Sequence, residues 1–188
     1  MSNRRDFIKK VTAGAAGTTI GAMGFSAKSY GRIIGANDRL GVVFMGCGRR
    51  VGAYYKAVIE KANNVELTHI CDVMKSQREK VAEALSDKLS YKPKLIEDIR
   101  ETFEDSKVDA IFNATPDHWH APGTWMALES GKHVYVEKPC SHNPYEDELL
   151  VHFQKKYNKV VQMGNQQRSA PETIEVINAI HNGEIGKP

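Results

Sequence analysis

Three short clusters and one acidic residue carry side chains whose types and spacing could do chemistry. "GCGRRVG" (Gly46 to Gly52) follows the apolar run "LGVVFM", Asp72 ends the run "VELTHIC", "NATPDHWHAP" spans Asn113 to Pro122, and "EKPCSHNP" spans Glu137 to Pro144. A glycine pair between a strand and a helix suits a dinucleotide turn: the first glycine makes the tight bend, and the second lets the backbone approach a pyrophosphate. Gly46 and Gly48 stand in those places, with Arg49 and Arg50 next in the turn. The third glycine falls one place late, with Val51 where a small residue is expected, so either the helix start is shifted or Gly52 substitutes through an extra residue. Asp72 comes about two dozen residues after the pair, where an acidic side chain accepts from the adenosine ribose and disfavours a 2′-phosphate. That favours NAD over NADP, with Arg78 nearby acting against the preference. Alone, Asp72 would serve equally as a helix N-cap.

The remaining polar residues admit plainer uses. His118 and His120 are close enough to suggest a metal, but no third ligand has a fitting spacing, so cofactor contact or a structural hydrogen bond is the better reading and no metal is assigned. Trp119 reads as a wall of a cofactor groove and Trp125 as a buried helix residue. Cys47, Cys71 and Cys140 show no CxxC pattern and read as small buried residues near strand ends.

These clusters need strands to hold them at one edge. Short apolar runs mark strands at Leu40 to Met45, Val65 to Cys71, Asp109 to Thr115, His133 to Glu137 and Val160 to Gly164, with a further short one at Lys94 to Ile96. Helical patterns lie between them at Gly52 to Lys61, Lys75 to Leu85, Asp98 to Phe103, Pro122 to Glu129 and Pro144 to Lys156, and Ile174, Ile177 and Ile180 start another. Strictly alternating strands and helices imply an α/β doubly wound parallel sheet, with a ligand at the carboxyl ends of its strands.

The glycine turn, Asp72, "TPDHWH", "EKP" and "GNQQR" together resemble the glucose-fructose oxidoreductase and inositol dehydrogenase family, over Asp38 to Pro188. The resemblance implies a Rossmann domain at residues 38–164, binding NAD, and the start of a truncated C-terminal substrate domain at 165–188. It also implies that Thr115, Pro116, His118, Trp119 and His120 line the dinucleotide. Glu137 and Lys138 would reach the nicotinamide ribose and the sugar hydroxyl. Pro139 would shape the turn through a cis bond, and Asn165 with Gln166 would contact the nicotinamide end. Oxidising a secondary alcohol needs a hydride acceptor facing the C–H bond and a base or cation at the hydroxyl, which makes Lys138 the candidate catalytic residue. A salt bridge to Glu137, or cofactor binding alone, is an equal alternative for it. In this family the complete protein is expected to be a homo-oligomer acting on a small sugar, cyclitol or glycoside.

The chain opens "MSNRRDFIKK", which resembles a twin-arginine export signal, and the Gly- and Ala-rich run from Val11 to Phe25 reads as its apolar core. The expected leader covers residues 1–29, cut after Ser29 or retained as an anchor. It holds five basic side chains against Asp6 alone, more than the whole chain's net charge of +3, so the remainder is slightly acidic. With no basic and aromatic interleaving, nucleic acid is not an expected partner. Twin-arginine export carries folded proteins, so a periplasmic enzyme using NAD would fold around its cofactor first and regenerate it in place. Regeneration would come from a second sugar that takes the hydride back or from a redox-neutral cycle, so three readings stay open: a sugar or cyclitol oxidoreductase, a redox-neutral glycoside hydrolase or lyase, and, as the non-enzyme alternative, an NAD-binding fragment without turnover.

Overall fold

The computed structural model describes residues 39–60 and 64–186, and the expected leader lies outside them. Six parallel strands form one sheet: β1 (Leu40–Met45), β2 (Val65–Cys71), β3 (Lys94–Ile96), β4 (Ala110–Asn113), β5 (His133–Glu137) and β6 (Val161–Gly164). Their spatial order is β3-β2-β1-β4-β5-β6, so the winding reverses between β1 and β4. This is the doubly wound Rossmann-type sheet expected from the alternating pattern. The reversal leaves a crevice at the carboxyl ends of β1 and β4, where such folds take ligands.

Strand periodicity divides the core. Val42 and Phe44 of β1 point to one face with Tyr54, Val58, Leu67, Val81 and Leu85, while Val43 and Met45 point to the other with Ile111, Ala127, Leu128, Val134 and Val136. Helices α1 (Tyr55–Ile59) and α2 (Lys75–Ser86) cover the first face, and α3 (His120–Glu129) and α4 (Pro144–Tyr157) the second. Each fully buried Leu or Ile on these faces contributes roughly 1.5–3 kcal/mol.

Local chemistry explains where the helices depart from expectation. The first crossover opens as a 3₁₀ turn at Val51–Tyr54 before the short α1, because Val51 and the Tyr54–Tyr55 pair favour α-helix weakly and turn inward onto Phe44. Residues Ile99–Thr102 are likewise 3₁₀, with the Asp98 carboxylate accepting from Arg100 N–H at 2.9 Å. Helix α3 begins two residues before Pro122, after a 3₁₀ turn at Asp117–Trp119. Asn143 caps α4 by accepting from Glu146 N–H, Pro144 occupies its first turn, and Asn158 ends it in the left-handed region.

The last helix, α5 (Pro171–His181), buries none of its residues, and Ile174 and Ile177 of the expected stripe are exposed.

Candidate functional site

The glycine turn separates into two kinds of glycine. Gly46 sits at φ +88°, and a Cβ there would lie 2.6–2.7 Å from the Ala114 carbonyl and Thr115 nitrogen, so the turn packs its backbone directly against the end of β4. At Gly48 a Cβ would meet nothing within 4 Å, which leaves open space over the turn. Gly52 is also exposed with nothing around a would-be Cβ, so it does not act as the close-packing third glycine; Val51, 3 % exposed, fills the inward position. A side chain fits there because the crossover starts as a 3₁₀ turn rather than a helix pressed on the sheet.

Asp72 holds this turn from β2. One carboxylate oxygen accepts from Cys47 N–H at 2.7 Å and the other from Met74 N–H at 2.8 Å, while Arg78 donates to the Asp72 carbonyl. Asp72 is therefore not the N-cap of α2, a place held by Met74; it braces the turn two residues earlier and keeps lone pairs on both oxygens for further donors. Burial pushes the Cys47 and Cys71 thiols up to about 12, with the Asp72 charge adding to it, so both stay protonated and inert. Cys140, expected to be buried, is half-buried and donates to Asp147. Trp125, also expected to be buried, is half-buried against Phe153.

At the end of β4, fully buried Asn113 organises the "TPDHWH" segment. Its carbonyl oxygen accepts from the Thr115 hydroxyl at 2.6 Å and the Thr115 N–H at 3.2 Å, and its amide donates to the His120 carbonyl at 3.0 Å. Pro116, His118 and Trp119 stand exposed on the turn so fixed. His120 behaves differently from its neighbours. It is 2 % exposed, its Nδ1–H donates to the Pro139 carbonyl, and its Nε2 is buried without a partner among the described residues. It thus pins the Lys138–Pro139 turn, whose peptide bond is cis.

Glu137 ends β5 and is 3 % exposed. A single oxygen, Oε1, accepts from Arg50 Nε at 2.8 Å and from the Tyr54 hydroxyl at 2.9 Å. That carboxylate raises the guanidinium of Arg50 above its ordinary value, chiefly by the hydrogen bond, and burial raises the Tyr54 phenol, with the bond to Glu137 adding to it. Lys138 is exposed and makes no ion pair among the described residues, so the salt bridge to Glu137 weighed from sequence does not form. Asn165 and Gln166 follow β6, both exposed, Gln166 at φ +48°.

A cleft of about 400 Å³ collects Arg49, Arg50, Thr115, His120, Glu137, Lys138 and Gln166 with Ala114 and Asp117. Gly46, Gly48 and Asp72 stand at the carboxyl ends of β1 and β2 beside it. The organising part of Asn113 and the tie from Arg50 and Tyr54 to Glu137 are additions to the expectations from sequence. A polar side chain ending an otherwise apolar strand was the available signal for Asn113. Among the described residues no group of three or more His, Cys, Asp or Glu is placed to hold a metal ion. The cleft suits a dinucleotide: the open space over Gly48 admits a phosphate backbone, and the buried Nε2 of His120 has no partner among the described residues.

A profile of the GFO/IDH/MocA oxidoreductase family, described as having an NAD-binding Rossmann fold, matches residues 40–165. The chain belongs to this family. It is 31 % identical over 145 residues to a scyllo-inositol 2-dehydrogenase (NAD(+)) of Bacillus subtilis (strain 168), covering 77 % of the chain and 41 % of the relative. It is 27 % identical over 210 residues to a glycosyl hydrolase family 109 protein of Shewanella baltica (strain OS185), covering 98 % of the chain and 44 % of that protein. The crystal structure of a scyllo-inositol dehydrogenase from Lactobacillus casei with bound cofactor NAD(H) and scyllo-inositol superposes with a TM-score of 0.68 at 21 % identity, over 79 % of this chain and 42 % of that one, which shows the shared fold. The chain spans about two fifths of the length of the curated relatives it matches. NAD is accordingly the family's nucleotide.

Proposed function

We propose that this chain is the NAD-binding half of an exported oxidoreductase that removes hydride from a hydroxyl-bearing carbon of a sugar or cyclitol. The observation that carries the reading is the gathering of Arg50, His120, Glu137 and Lys138 in one cleft at the carboxyl ends of β1, β4 and β5, beside Gly48. NAD, when bound, supplies the hydride acceptor. The Gly48 turn admits the phosphates, Asp72 the adenosine ribose, and Glu137 the nicotinamide ribose. Lys138 would stand at the reacting end, where its ammonium form would stabilise developing alkoxide charge, or its neutral amine form would take the hydroxyl proton. His120 holds the backbone turn that carries this lysine, through the Pro139 carbonyl. The twin-arginine-like leader makes the periplasm the expected location, and a homo-oligomer the expected state of the complete protein.

A second reading, a redox-neutral glycoside hydrolase, is favoured by one observation: the match to the glycosyl hydrolase family 109 protein runs over 98 % of the chain, against 77 % for the inositol dehydrogenase. There a sugar hydroxyl is oxidised to a ketone, the neighbouring C–H loses its proton, the glycosidic bond is eliminated, water adds and the hydride returns. Incubating the complete protein with cyclitols, free sugars and aryl glycosides separates the two. Net nicotinamide reduction with a cyclitol or free sugar supports the oxidoreductase, and glycoside cleavage without net reduction supports the hydrolase. Neither reaction with any of these substrates would leave NAD binding as the whole activity.

A further inference from the structure

Arg50 and Glu137 come from opposite sides of the crevice. Arg50 belongs to the turn after β1 and Glu137 ends β5, with β4 between them in the sheet. Neighbouring strands lie about 4.8 Å apart, so the bridge crosses roughly 10 Å of sheet edge, directly above the end of β4. A dinucleotide running from the Gly48 turn toward Lys138 must cross the same line.

The chemistry of the bridge suits displacement. Arg50 uses Nε alone on Glu137, and both terminal nitrogens are without a hydrogen-bond partner among the described residues. Both side chains line the cleft, but that of Arg50 is 42 % exposed and that of Glu137 4 %, so the guanidinium is much the more reachable of the two. The terminal pair of an arginine is a two-pronged donor suited to phosphate oxygens. Glu137 has a second anchor in the Tyr54 hydroxyl, which keeps the carboxylate in place when the arginine leaves.

We propose that Arg50 is a displaceable strap: in the empty cleft it neutralises Glu137, and an entering pyrophosphate takes it over, freeing the Glu137 carboxylate to accept from ribose hydroxyls. The nucleotide thereby completes its own site, since the phosphates unmask the acceptor that the adjoining ribose needs. This rests on the dinucleotide reading of the cleft.

ADP isolates the first half of the exchange, because it carries the pyrophosphate and lacks the second ribose. Calorimetric titration of the chain with ADP is expected to show Glu137→Gln binding three- to tenfold tighter than wild type, as Arg50 is no longer held, and Arg50→Ala binding at least tenfold weaker. In the Arg50→Ala background, Glu137→Gln is expected to add nothing, since its benefit runs through the arginine. The amide oxygen introduced by Glu137→Gln can still accept from the Tyr54 hydroxyl, and Arg50→Lys serves as the milder variant where the alanine lowers the melting temperature. A Glu137→Gln protein that binds ADP no tighter than wild type, or a gain that persists without Arg50, overturns the strap while leaving the cleft reading intact if NAD still binds. Wild-type protein that binds neither ADP nor NAD removes both.

Discussion

The two halves of the sheet edge treat their polar groups in opposite ways. On the β1–β2 side both oxygens of Asp72 accept from backbone N–H groups, Arg78 donates to the Asp72 carbonyl, and the thiols of Cys47 and Cys71 are held protonated by burial. On the β4–β5–β6 side, among the described residues, Lys138 makes no ion pair, His120 Nε2 has no partner, and Gln166 stands exposed. The first half is built by the main chain before any ligand arrives. The second leaves these groups without partners among the described residues, as the proposed function would require of a reacting end.

Substitutions at the two glycines break the comparison most sharply. Gly46→Ala places a Cβ against the Ala114 carbonyl at a left-handed φ, so it is expected to lose about 3 kcal/mol in urea unfolding, and NAD binding with it. Gly48→Ala sets its Cβ where nothing lies within 4 Å and should stay within about 0.5 kcal/mol of wild-type stability while losing tenfold or more in NAD affinity by titration. Equal behaviour of the two would erase the distinction between a packed and an open glycine. Lys138→Ala is expected to leave the melting temperature and NAD affinity near wild type and to slow substrate oxidation by the complete protein about a hundredfold or more. A parallel loss of NAD affinity would move Lys138 to the binding half. A smaller effect is expected for Asp72→Asn, roughly tenfold weaker NAD binding with less discrimination against NADP.

The smallest expected effect lies away from the cleft. Burial, opposed by the charge of Asp105, lowers His69 below its ordinary 6.5. The unfolded chain therefore takes up the proton first, so the contribution of this site is complete above pH 6.5 and declines as the pH falls toward the folded-state value. Unfolding midpoints should drop modestly on acidification through that window, and His69→Gln should flatten the drop.

Much of the fold was legible because it depends on local pattern. Runs such as "VELTHIC" and "HVYVE" became strands over the expected residues, since an apolar run bounded by polar turns has few other uses in an alternating chain. The first crossover departs from the expected helix because helical periodicity does not reveal a 3₁₀ turn at Val51–Tyr54, whose inward residues pack on the core. In the site, the strand-end clusters were visible and so was their common edge. Partnerships were not. Arg50 and Glu137 lie 87 residues apart and meet only because β1, β4 and β5 are neighbours in that order. The duty of His120 was hidden for the same reason: the Pro139 carbonyl it holds belongs to the next strand's turn.

The central claim is that the open glycine and the incomplete half form one nucleotide site that retains NAD. Mass spectrometry of the nucleotide released on denaturing purified protein tests it most directly. Near-stoichiometric NAD(H) is the expected result, with little NADP(H). Protein that releases no nucleotide, and that binds no added NAD in titration, would contradict the account.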